Sequence, residues 1–317
     1  MKPLLAQPST WTRVAVLASV AGLLILVPLW GQPFYVRLGS RVMIYAMAAL
    51  SLDLLVGYGG MVSLGHAAFF GVGAYTVGIL AYHGTMEGLV AWPAAMGAAA
   101  LLALPIGAVS LRTSGAYFIM ITLAFAQMLY YLVFSLEGYG GSDGMPMASR
   151  NVLAGGLGLD HPAGFYALCA VLLAGVFAVC RRLVRSPFGL VVTGIRENER
   201  RMRSLGYATY RYKLACFVLS AAIAALAGGL MANQTLYLSP SLMHWTQSGH
   251  LLVMVILGGM GTCTGPLLGA CALLVGEEVL SSFTEHWMII LGPLLILVVL
   301  FAKGGLYGWL RGEGRDG

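Results

Sequence analysis

From Val14 to Phe301 the sequence is a succession of apolar runs separated by short polar breaks. A helix rises about 1.5 Å per residue, so crossing a hydrocarbon core of about 30 Å takes about 20 largely apolar residues. Most of the runs approach that length, and few chains outside a bilayer tolerate such a series. Composition agrees: 59% of residues are hydrophobic and 9% charged, where a water-soluble domain carries roughly a quarter charged residues. The expected fold class is an all-α membrane protein in which residues 1–317 form a single transmembrane domain without a separate soluble domain.

The runs predict helices near Val14–Leu29, Val42–Val56, Ser63–Tyr82, Leu89–Val109, Tyr117–Phe134, Gly164–Val179, Leu214–Met231 and Trp287–Phe301, together with a long run over Gly249–Leu280. As one straight helix the 32 residues of that last run would rise about 48 Å, too far for one span. Its middle reads Gly258-Gly259-Met260-Gly261-Thr262 and then Gly265-Pro266, which are helix-breaking signals. Divided there, the chain is a polytopic bundle of about ten helices with discontinuous Gly-rich segments. With both termini inside, fifteen of the eighteen Lys and Arg fall on the cytoplasmic side, the exceptions being Arg37, Arg41 and Arg150. Nine spans would send Lys303, Arg311 and Arg315 outside, against the positive-inside rule. Leu136–His161 then faces the periplasm. The cations Lys2 and Arg13 ahead of the first run resemble a secretory signal, but no small-residue cleavage site precedes Gln32-Pro33, so the run is read as a retained helix.

Forty-three glycines would weaken helices in water. In lipid, small residues let helix backbones approach closely, and Gly71–Ala74 and Ala224–Gly229 are read as such packing faces. Gly-Gly-Met occurs twice, at Gly59–Met61 and Gly258–Met260, and points to a broken helix in each region. The five cysteines sit in apolar runs with no CxxC spacing and no paired histidines, so they are ordinary small helix residues, and no metal or cofactor is implied.

A sequence pI near 9.1 does not signal nucleic acid, because the cations neither cover a face nor mix with exposed aromatics. They concentrate between Arg181 and Lys213, where nine Lys/Arg and two acids, Glu197 and Glu199, give +7 against +6 for the whole chain. Retention on the cytoplasmic side accounts for the charge. Thirty-three residues is long for a connection between packed helices, however. Pro187 and Gly189 are expected to end one element, Arg196–Ser204 to form a short helix, and Gly206 to cap it. Such a helix, lying across the span ends, is a docking knob for a partner.

Three stretches carry a family resemblance. The first runs Leu54-Leu55-Val56-Gly57-Tyr58-Gly59-Gly60-Met61-Val62-Ser63-Leu64-Gly65-His66-Ala67-Ala68-Phe69-Phe70-Gly71-Val72-Gly73-Ala74-Tyr75. The second joins Tyr117-Phe118 and Thr122–Gln127 to Gly140-Gly141-Ser142-Asp143-Gly144. The third runs from Ser186-Pro187-Phe188-Gly189 through Ile195-Arg196-Glu197-Asn198-Glu199 to Leu205-Gly206 and Lys213. Together with Phe217–Gly229 and Leu257–Thr262 they span roughly residues 40 to 305. The chain resembles the LivM-like permease subunits of bacterial branched-chain amino acid ABC importers. It departs at Asp53, where Asn is usual, at Met61, where Gln is frequent, and at Arg201, where Ala is usual.

The resemblance implies a type II ABC importer permease of the cell inner membrane. Its partners would be two cytoplasmic ATPase subunits, a second homologous permease, a periplasmic solute-binding protein and a small-molecule substrate, with no nucleic acid. It implies that the 181–213 loop inserts into a groove on an ATPase, and Arg196, Glu197, Asn198, Arg200, Leu205 and Gly206 are the candidate coupling residues. Branched-chain or related amino acids are the implied substrates, with urea, short amides and aromatic acids as alternatives.

Candidate pathway residues follow from position. Ser63 and His66 open a helix beside a Gly-rich break, where freed backbone groups can face a cavity. Gln127 and Thr122 are polar residues inside an apolar run. Interhelical hydrogen bonds that only hold the bundle together are the simpler account of each of the four. Catalysis is not indicated: there is no Gly-x-x-x-x-Gly-Lys-Ser/Thr phosphate loop, and nothing visible orients His66 toward Ser63 as a nucleophile pair. A proton- or sodium-coupled carrier needs ionisable groups deep in the membrane, and only His66 is a clear candidate. A scaffold without transport is the third reading.

Overall fold

The computed structural model describes residues 32–153, 157–159, 161–283 and 304–310, with single positions 286, 289, 292 and 293. The helices expected near Val14–Leu29 and Trp287–Phe301 lie outside the described residues.

Helix α1, Pro33–Asp53, begins with proline at its first turn, where the missing N–H costs nothing. It continues through one wide turn, Leu54–Tyr58, and then breaks. After an extended stretch come α2 His66–Tyr82, α3 Gly88–Ser110, α4 Ala116–Phe134 and α5 Pro162–Arg185. Next are α6 Pro187–Ser204 and α7 Thr209–Thr235. The Gly249–Leu280 run divides as expected, into α8 Trp245–Gly258 and α9 Gly265–Phe283, and α10 Gly305–Leu310 follows.

Among the described residues six helices are long and apolar enough to cross a membrane: α1 with its wide turn, α3, α4, α5, α7 and α9. The 17 residues of α2 and the 14 of α8 rise only about 26 and 21 Å. Both abut glycine-rich breaks of irregular backbone. Such backbone is tolerated at membrane depth only where protein or a cavity surrounds it.

The apolar windows of α1 and α7 are 83% and 72% buried, against 28–33% for α3, α4, α5 and α9. The first two therefore form the interior, and the others turn Leu101, Leu104, Met120, Met128 and Leu132 outward. α2 lies against α7 at backbone contact. A Cβ on Gly73 would collide with the Ala225 backbone, and one on Gly228 with the carbonyl of Phe70. The two glycine-rich runs thus supply close packing in place of a hydrophobic drive.

Away from α6, the segment after α4 folds back over the bundle. β1 Met145–Pro146 pairs antiparallel with β4 Tyr237–Leu238 beyond α7, and β2 Val152–Leu153 pairs with β3 Leu157–Gly158. Arg150 donates from Nε to the Asn233 carbonyl at 3.1 Å and from Nη1 to that of Leu159 at 2.9 Å. Its guanidinium also sits 4.9 Å from the Phe165 ring centroid. These partners explain how a cation is held at the end that the charge rule would leave without one.

Candidate coupling junction and pathway

At the α6 end the boundaries of the basic segment differ from expectation. Arg181, Arg182 and Arg185 belong to α5, not to a loop. Pro187 and Gly189 open α6 instead of ending an element. Ser186 caps its start, its Oγ accepting the Gly189 N–H at 3.4 Å, and Pro187 occupies a first-turn position that needs no N–H. Gly189 is required there because a Cβ would strike the carbonyls of Leu183 and Val184.

Val191, Val192 and Ile195 bury one face of α6, and Phe188 stacks on Tyr212 of α7 with centroids 5.7 Å apart. The helix is interrupted at Asn198, whose φ/ψ of −156°/94° is extended. The Asn198 Oδ1 accepts the Arg201 N–H at 3.0 Å, so it serves as N-cap of a second, shorter helix. Leu205, 64% exposed, and Gly206, with φ of +88°, end it. Glu197 and Arg200 face solvent.

Arg196, exposed overall, reaches back to the bundle with its guanidinium. Its Nη1 donates to the carbonyl of Gly57, in the wide turn that ends α1, and its aliphatic stem lies over Gly60. The wide turn frees carbonyls from the regular ladder, and the guanidinium meets one of them. The α8–α9 turn reaches the same place. Asp53 accepts the N–H of Gly261 at 2.7 Å and that of Cys263 at 3.4 Å. The two Gly-Gly-Met sequences therefore mark two breaks that meet beside Arg196.

Glu199 holds the outer half of α6 to α7, 2.5 Å from Lys213 Nζ, 2.9 Å from Arg203 Nη2 and 3.2 Å from Thr209 Oγ1. Burial raises its carboxyl pKa, but the hydrogen bond and charge of Lys213, with Thr209 and Arg203, outweigh that and hold it below the usual carboxylate range. Among the described residues, Arg181, Arg182, Arg185, Arg200 and Arg201 make no ion pair with an acid.

The pathway candidates separate. Ser63 and Thr122 are buried and line one crevice with Gly65, Phe69, Phe125 and Phe217, too narrow for a water molecule. Each hydroxyl is engaged locally: Ser63 Oγ accepts the Gly65 N–H at 3.2 Å, and Thr122 Oγ1 donates to the Ile119 carbonyl at 2.9 Å. His66 is also buried but faces elsewhere, with Nε2 2.8 Å from Ser51 Oγ. Gln127 is half-buried on α4, outside the crevice. Residues that sequence reasoning missed are Ser51, Asp53, Gly57, Gly261 and Lys213. The polar residue in an apolar run was a usable signal for Ser51 and Asp53. Among the described residues no cluster of His, Cys, Asp or Glu is arranged to hold a metal ion.

A bundle with six helices long and apolar enough to cross a membrane among its described residues is a multi-pass membrane protein. The chain belongs to the family described as branched-chain amino acid transport system, permease component, which matches residues 34–299, and it is a transport permease. It is 31% identical to the high-affinity branched-chain amino acid transport system permease protein LivM of Escherichia coli K12, over 92% of this chain and 75% of the relative. It is 24% identical to the probable branched-chain amino acid transport permease protein LivM of Methanocaldococcus jannaschii, over 83% and 90%. The LivH permease of E. coli K12 matches 39% of the chain at 29% identity. No solved structure matches the chain significantly.

Proposed function

We propose that this permease is one of two homologous but distinct half-channels in a type II ATP-binding cassette importer of the bacterial inner membrane. Its cargo is branched-chain or related amino acids, the solutes named for its relatives. Counting the helices expected near Val14–Leu29 and Trp287–Phe301, the domain has ten crossings with both termini cytoplasmic. Two ATPase subunits bind below, and a periplasmic solute-binding protein delivers the amino acid from above. Relatives of both LivM and LivH type match the chain, which supports a pairing of unlike permeases.

The observation that carries the coupling role is the two-sided build of α6. One face offers Glu197, Arg200 and the exposed Leu205 outward, while Arg196 grips Gly57 at the end of a broken crossing. A rigid short helix with one side on a partner and the other on a transmembrane break can pass on a two-state motion, because its contacts differ between the states. Asn198 and Gly206 hold its shape. Ser63 and Thr122 line the crevice between α2, α4 and α7 that opens as the transport path, and His66 and Gln127 flank it.

The test is import by the complete complex in proteoliposomes, with labelled leucine, the binding protein outside and ATP inside. Import that requires ATP and is displaced by excess isoleucine or valine, but not by urea or an aromatic acid, is expected. ATP-driven uptake of urea or an aromatic acid with none of leucine would refute the substrate assignment.

A further inference from the structure

The junction holds one carboxylate that contact with an ATPase does not require. Asp53 is 1% exposed, and each of its oxygens accepts one backbone N–H of the α8–α9 turn, from Gly261 and from Cys263. Gly259, Gly261 and Cys263 in that turn have φ of +113°, +74° and +55°. Alternation of this kind turns successive amides to one side and makes an anion-binding concavity. The two glycines adopt such angles freely. Cys263 does not, because an L residue is strained there. It is held by the hydrogen bond that its N–H donates to Asp53 and by its Sγ, 3.1 Å from Tyr58 Oη.

The same turn is pressed against the end of α1. A Cβ on Gly57 would collide with both the Asp53 carboxylate and the Gly261 nitrogen. The Gly57 carbonyl, in turn, is the atom that Arg196 grips. A strained turn, a broken crossing and the inward arm of α6 therefore share a few ångströms, with Asp53 bonded across the gap.

We propose that Asp53 is a positioning residue of the transport cycle: its carboxylate fastens the α8–α9 turn to the break in α1. A displacement of α6, reaching Gly57 through Arg196, then moves α1, α8 and α9 as one body. The inference rests on the function proposed above. Its chemistry discriminates between substitutions. A carboxylate accepts at both oxygens, whereas asparagine accepts at one and presents an NH2 group to the second N–H, which is itself a donor. Asp53→Asn should loosen the fastening, and Asp53→Ala should abolish it.

The test uses the assembled complex in proteoliposomes and reads two quantities: amino acid imported per ATP hydrolysed, and backbone hydrogen exchange across residues 258–264. Asp53→Ala should lower the import ratio about tenfold and Asp53→Asn about threefold, with exchange accelerated in the same order, as expected for loss of charge-assisted bonds. A wild-type ratio in both variants, or a lowered ratio with unchanged exchange, overturns the proposal. Should Asp53→Ala fail to accumulate, Asp53→Asn decides by the same two readings. Should the wild-type complex import no amino acid, the proposed function fails and exchange alone decides the fastening: faster exchange supports it, unchanged exchange overturns it.

Discussion

The two ends of the bundle are closed by similar chemistry put to different use. At each, an arginine bonds to a carbonyl in the last turn of a helix: Arg150 to that of Asn233, besides that of Leu159 in the neighbouring segment, and Arg196 to that of Gly57. Around Arg150 the bonds are made within the chain. Asn233 Oδ1 takes the Asn151 N–H at 2.7 Å, its Nδ2 returns to the Gly229 carbonyl at 2.9 Å, and β1 pairs with β4. Around Arg196 only the inner side is closed. Glu197, Arg200 and Leu205 project away from the bundle. One end is a cap, and the other is a joint whose outer side faces solvent.

The largest expected effect comes from filling the space on which that joint depends. Gly57→Val would drive a side chain into Asp53 and the α8–α9 turn, whereas nothing lies within 4 Å of a Cβ on Gly138 at the capped end. Overpacking of this kind costs about 1–3 kcal/mol or more. Gly57→Val is expected to remove most of the monodisperse protein in fluorescence-detected size-exclusion chromatography, and Gly138→Val to leave it near the wild-type level. Equal yields would mean that the joint adapts and is not close-packed.

Next in size is a contrast between the two arginines. Arg150→Ala strands buried carbonyls of the cap, at about 1–3 kcal/mol, so it should lower the thermal midpoint while import per folded molecule stays near wild type. Arg196→Ala, on a half-open site, should change the midpoint less but cut ATP-driven import severalfold. If both variants lose stability and import in the same proportion, the ends are not functionally distinct.

The contrast also shows what sequence reasoning can reach. Among the described residues the long apolar helices are legible because burial in lipid demands long apolar runs, and the division between α8 and α9 is legible because glycine and proline interrupt one. The start of α6 was misread: Pro187 and Gly189 carry the same local signal whether they end a helix or begin one. Only the Ser186 cap and the contact of Gly189 with the carbonyls of Leu183 and Val184 decide it. Asp53 and Gly261 lie 208 positions apart, and no spacing rule connects residues so distant. Arg196 was singled out as a charge at a docking surface. Its inward turn depends on a carbonyl freed by a wide helical turn, which leaves no periodic trace. The pairing of Met145–Pro146 with Tyr237–Leu238 is equally hidden, since two-residue strands are set by their partners and not by their composition.

The smallest expected effect separates charge from backbone within α6. Glu199 binds the outer half of α6 to α7, and its pKa lies below that of a free carboxylate, near 4.3. A lowered folded-state pKa stabilises the native contact at every pH above the unfolded value, and the contribution disappears as pH falls through the folded value. Docking of the Asn198–Ser204 half should therefore be flat from about pH 8 to 5 and loosen only below about pH 4, as Glu199 takes up a proton. With its side chain 34% exposed, the contact is partly screened and the change should be small. Hydrogen exchange of residues 198–204, corrected for the intrinsic pH dependence, should report it, and Glu199→Gln should show the loosened state at every pH. Arg196 bonds to a carbonyl that does not titrate, so exchange across residues 57–61 should not follow. Parallel loosening of both segments in acid would show that the hold of Glu199 on the outer half of α6 is also what seats Arg196 on Gly57.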